Sequence, residues 1–218
     1  MSLFKKLLSI LSRRLSSVEP TIFSSNTEYY EQKFSNLSYP STIIEDKLFE
    51  GCQFVSTNFS ESQFIRCKFI DCEFKNCNLS TVQFKASSFK DITFFESKVT
   101  GVNWTMLNWP HIRLSSPFQF YSSIISHSSF YGLELQELVI EACIAHDVDF
   151  READLRRANF KLTDFEKSQF VHTKLYASDF TEAHSYSIDP TQNDIRKAKF
   201  SFPDAIHLLD GFDIQIIR

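Results

Sequence analysis

Three cysteines stand five residues apart in the stretch from Cys67 to Leu79, CKFIDCEFKNCNL. Clustered thiols suggest metal ligation or disulfide exchange. A zinc site asks for ligands that converge on one point, usually as CxxC pairs, and this spacing does not supply them. The chain has five cysteines, Cys52, Cys67, Cys72, Cys77 and Cys143. An odd number excludes a complete disulfide framework and points to a reducing, cytoplasmic compartment. Among the six histidines, only His127 and His146 fall one 20-residue step apart, nearly in phase, with Asp147 beside them. Phosphate-cradling, zinc-protease and nucleophile-elbow motifs are all absent. The residues therefore predict a protein that is not an enzyme and carries no cofactor and no metal.

Carboxylates form the other concentration of chemistry. Glu134, Glu137, Glu141, Asp147, Asp149, Glu152 and Asp154 lie within 21 residues, and Arg151 is the one arginine or lysine among them. Such a cluster suits a basic partner surface; a plain solvated face is the competing reading. The formal net charge of the whole chain is -4, which argues against a general nucleic-acid binder.

What positions these residues is a repeat. From Phe49, a step of five meets Phe54, Phe59, Phe64, Phe69, Phe74, Leu79, Phe84, Phe89, Phe94, Val99, Trp104, Trp109 and Leu114. A step of six then reaches Phe120. The beat of five resumes through Ile125, Phe130, Leu135, Ile140, Ala145, Phe150, Leu155, Phe160, Phe165, Phe170, Leu175 and Phe180. Upstream, Phe34, Tyr39 and Ile44 keep the phase. A period of five suits neither a helix nor a flat strand. It suits a chain that turns a corner every five residues, so that four segments close a square coil of 20. Stacked coils would pair backbone to backbone at about 4.8 Å, with large rings inside at the separations aromatic pairs favour.

Every cysteine lies two residues before a beat position. Thr57, Ser62, Val82, Ser87, Ala153, Ala158, Thr163, Ser168, Thr173, Ser178 and Ala183 hold the same slot elsewhere. The slot calls for a small residue, and cysteine fills it as a small hydrophobe. Trp104 and Trp109 are likewise read as structural, marking a wide section near the six-residue step.

The segments ADLRR (153–157), ANFKL (158–162) and SDFTE (178–182) resemble the pentapeptide-repeat signature. The resemblance implies an all-β solenoid, a right-handed quadrilateral β-helix, over residues 34–186 with a one-residue insertion between 114 and 120. Beyond it, Pro203 and Gly211 bracket a short apolar helix, and Phe212, Ile214 and Ile216 alternate like a strand. Residues 187–218 are thus expected to form a helix–strand cap. That cap is similar to the dimer-forming tail of the Qnr-type quinolone-resistance and microcin-immunity proteins. The resemblance implies a homodimer through Ile206, Leu208, Leu209, Phe212, Ile214 and Ile216. It also implies a type II topoisomerase (DNA gyrase) partner, met by imitation of duplex DNA and without direct nucleic-acid binding. Charge supports the mimicry in part: residues 34–186 hold 19 acids and 14 bases, about a quarter of the charge on duplex DNA of equal length at one per ~1.7 Å. A rigid interaction scaffold or bacterial effector is the alternative function.

Residues 1–33 precede the expected tower. In residues 1–18, MSLFKKLLSILSRRLSSV, Leu3, Phe4, Leu7, Leu8, Ile10, Leu11, Leu15 and Val18 share one side of a helical wheel, opposite Lys5, Lys6 and Arg13. Three uses fit: a cap on the first coil, contact with a membrane surface, or a targeting segment. The segment is too short and too charged to span a bilayer.

Overall fold

The computed structural model describes residues 23, 26–109, 116–212 and 214. The expected 1–18 helix lies outside them. Within them the chain coils into a four-sided β-solenoid of about eight turns. All named strand pairs are parallel. Most strands are three residues long, with a beat residue in the middle facing inward, as in Gln53–Val55 and Gln63–Ile65.

The offset between coils is 20 residues: Phe34 lies over Phe54, Phe49 over Phe69 and Phe64 over Phe84. Phe54, Phe59, Phe64, Phe69, Phe74, Phe84, Phe89, Phe150, Phe160, Phe165, Phe170 and Phe180 are all buried. Rings in one column lie nearly parallel. Phe54 and Phe74 stand 4.6 Å apart at 8°, and Phe130 and Phe150 stand 5.2 Å apart at 7°. Rings on neighbouring sides meet edge to face, as Phe64 meets Phe69 at 78°. One ring thus satisfies both aromatic geometries at once.

The corners explain how a chain with only four glycines can turn so often. The corner residue, two places after the beat, adopts a left-handed conformation. Glu31, Arg66, Glu152 and Leu162 have φ of 50°, 54°, 60° and 60°, while Gly51, Gly101 and Gly132 occupy equivalent places. A non-glycine residue there costs roughly 1–2 kcal/mol. In return its N–H reaches the next coil: Glu31 N–H donates to the Glu50 carbonyl at 2.8 Å, and Glu152 N–H to that of Val171 at 2.9 Å.

The slot two residues before the beat has a polar role as well as a small volume. Ser87 Oγ donates to the Phe64 carbonyl at 3.0 Å and accepts from Cys67 N–H at 2.9 Å. Ser97 does the same between Phe74 and Cys77. These hydroxyls satisfy interior backbone groups. Cysteine is a substitute within that pattern: the thiols of Cys52, Cys67, Cys72 and Cys77 donate to the carbonyls of Tyr29, Ile44, Phe49 and Phe54. It is therefore more than an apolar filler.

The structure differs from the sequence reading in three places. First, the break in the beat is six residues long. Phe94 lies over Phe120, Lys98 over Ile124 and Asn103 over Ser129, an offset of 26. A six-residue excursion in a five-residue rhythm looks like a slip of one. Trp104 stays in the core, but Trp109 leaves the beat: it is half-buried and its Nε1 donates to the Trp104 carbonyl at 3.1 Å. Second, pairing runs from Glu28–Tyr30 to Lys199–Phe200, beyond both expected bounds of 34 and 186. Third, Asp204–Phe212 form a 3-10 helix, as the Pro203–Gly211 bracket suggests, but Phe212 ends that helix and Ile214 is in no strand. Ile216 lies outside the described residues.

Candidate partner-binding belt

The coil that begins at Glu134 carries the seven carboxylates. Glu134 and Asp154 bridge in register on one side of the tower, and Glu141 ends the strand Val139–Glu141 on the next. Glu137, Asp147 and Glu152 are corner residues with φ of 65°, 54° and 60°. A corner residue's side chain projects from an edge of the prism. The acids therefore encircle the tower instead of lining one face.

The structure also gives most of them partners. Asp149 takes both guanidinium donors of Arg151 at 2.8 Å, and Asp154 takes those of Arg156 at 2.8 and 2.7 Å. Asp154 is only 4% exposed and accepts a further bond from Gln136 at 2.8 Å. Glu137 pairs with Arg157 one coil on at 2.9 Å. Asn159 donates to Glu141, and the Tyr131 hydroxyl to Glu152 at 2.8 Å. Asp147 faces His127 at 3.9 Å. Arg156 and Arg157 follow Asp154 directly, just outside the window in which the acids were counted. The readable signal for two of these pairs is the D-x-R triplet at 149–151 and 154–156, which recurs at 194–196 with the same bidentate geometry.

These contacts shift the acids. The Arg151 hydrogen bond holds the Asp149 carboxyl below the usual range. Burial pushes Asp154 up, but Arg156 and Gln136 outweigh it and leave that carboxyl low as well. The hydrogen bond to Glu152 raises the Tyr131 phenol.

The remaining candidate groups are placed separately. His127 and His146 do sit on adjacent coils, with the His127 N–H bonded to the His146 carbonyl. Each ring faces its own carboxylate: His146 meets Asp164 at 2.7 Å, and His184 lies 3.8 Å from the same acid. Among the described residues, no three His, Cys, Asp or Glu side chains are arranged to hold a metal ion. All five thiols are free and buried. Burial pushes Cys67 and Cys77 up to about 11 and Cys143 to about 12. Cys52 is drawn down to about 7, first by a hydrogen bond from Cys72, and the same bond drives Cys72 upward.

At the C-terminal end, Ile206, Leu209, Phe212 and Ile214 are 38–55% exposed, while Leu208 packs partly against the core. Phe202, which the sequence reading passed over, is 87% exposed beside them.

A profile described as a pentapeptide repeat region matches residues 42–117, and one described as pentapeptide repeats matches residues 146–181. The chain belongs to the pentapeptide-repeat family. Two solved structures of trypsin-treated variants of QnrB1, described as a plasmid-mediated fluoroquinolone resistance protein, are similar to this pentapeptide-repeat chain. Their TM-scores are 0.56 and 0.57 at 18% identity, over 87% of this chain and 97% of theirs. That likeness is one of fold. No curated protein sequence matches the chain.

A carboxyl held low when folded adds stability that is present above its unfolded value, about 3.9 for Asp, and lost as pH falls through the folded value. Asp149→Asn and Asp154→Asn are therefore expected to flatten the fall of stability below about pH 4. Urea unfolding across an acid pH series reads this; unchanged slopes would show that the arginine pairs do not hold these carboxyls low.

Proposed function

We propose that this pentapeptide-repeat protein is a non-enzymatic module that docks on a type II topoisomerase as a partial mimic of duplex DNA, shielding the enzyme from quinolones. The observation that carries the reading is the belt. Seven carboxylates against Arg151, Arg156 and Arg157 leave a net of four negative charges in little more than one coil. Over the same ~4.8 Å of rise, duplex DNA carries about three. The tower as a whole is far weaker in charge than DNA, but this coil matches it. A fold shared with a described fluoroquinolone resistance protein supports the same assignment.

Supercoiling by DNA gyrase under a quinolone, titrated with the protein, is the test. Rescue is expected, and the triple variant Glu134→Lys, Glu137→Lys, Asp149→Lys should lose it while keeping its circular-dichroism spectrum. No rescue across the titration would remove the topoisomerase reading.

We also infer that two copies join at the C-terminal end. Phe202, Ile206, Leu209, Phe212 and Ile214 expose apolar surface beside Lys199–Phe200, a strand paired on one side only among the described residues. An open edge of this kind invites pairing. Sedimentation velocity should show a dimer that Leu209→Asp converts to monomer; a wild-type monomer at every concentration would contradict the joint.

A further inference from the structure

Cys52 and Cys72 occupy the same interior slot on consecutive coils. Their neighbours Gln53 and Glu73 are in register, as are Phe54 and Phe74. Coils about 4.8 Å apart fall inside the Cα separation of about 4.4–6.8 Å that a disulfide spans. The side chains already meet through a thiol–thiol hydrogen bond.

No other two of the five cysteines share a slot on consecutive coils. Cys67 serves the side that ends in Phe69 and Cys77 the side that ends in Leu79. Cys143 shares the side of Cys77 but stands three coils away. Ser97 and Ser123 fill the slot between them, each accepting the backbone N–H of the residue above.

We propose that Cys52 and Cys72 are an oxidation site, joined as an intramolecular disulfide by a hydroperoxide, which staples one coil to the next. The Cys52 thiolate attacks one peroxide oxygen, breaking the O–O bond; with hydrogen peroxide this gives a sulfenic acid and, after protonation of the leaving hydroxide, water. The Cys72 sulfur then attacks the sulfenic sulfur and expels a second water. Two thiols and one peroxide become one disulfide and two waters. Cys52 gives up its contacts to the Tyr29 and Glu50 carbonyls, and Cys72 its contacts to those of Phe49 and Ile70. Both thiols are buried, so reagent enters when the coils at this end of the solenoid open, and opening sets the rate.

Serine holds this slot on other sides of the tower, so serine variants are suited to fold. The full chain is treated with hydrogen peroxide, with and without mild urea, and followed by intact mass and non-reducing peptide mapping. The expected product has lost two hydrogens, links the Cys52 and Cys72 peptides, forms faster in urea, melts higher and reverts with a dithiol. Cys52→Ser and Cys72→Ser should each abolish it, and Cys67→Ser and Cys143→Ser should not. No mass change even in urea, a link through another cysteine, or oxidation that ends at sulfinic acid would overturn the assignment.

Discussion

Each coil of this molecule is held by the next through backbone hydrogen bonds at the corners, and the remainder of the structure depends on that contact. The corner residue accepts a left-handed backbone that costs it energy alone, and it donates its N–H one coil onward, as Arg157 does to the Tyr176 carbonyl at 2.9 Å. A single coil would leave these donors unpaired and its rings exposed to water. Stacking satisfies both, so stability is collective and passes from neighbour to neighbour. The interior slots extend the same logic with side chains: Thr163 donates to the Ile140 carbonyl and accepts from Cys143 N–H.

The interior was legible because the beat is a packing rule. Every described beat residue except Trp109 is buried. Periodicity, however, reports position only within a repeat. It could not distinguish a slip of one residue from an excursion of six, and inter-coil pairing was needed to find the offset of 26 between Phe94 and Phe120. The ends were under-read for a related reason. Phe200 stacks on Phe180 at 5.0 Å, yet Ser185 and Pro190 interrupt the apolar beat before it. The expected strand at 212–216 rested on alternation alone, which cannot supply a partner for an edge.

The carboxylate belt shows the same division. Its encirclement follows from the count of residues per coil, so sequence could place it. Its pairing depends on contacts at separations of two and of about 20, such as Asp154 with Arg156 and Glu137 with Arg157, and a linear window cut both off. The cysteines are the clearest case of topology changing chemistry. Cys67, Cys72 and Cys77 look like a cluster and point from successive sides, while Cys52 and Cys72, 20 residues apart, are the ones that touch.

Native-state hydrogen exchange at the corners tests the central claim most directly. Leu162 is 49% exposed, but its N–H bonds the Thr181 carbonyl of the next coil. Corner amides such as those of Glu152, Arg157 and Leu162 are expected to exchange as slowly as the buried strand amides, near the rate set by global opening. Exchange at the rate of free surface turns would contradict the account.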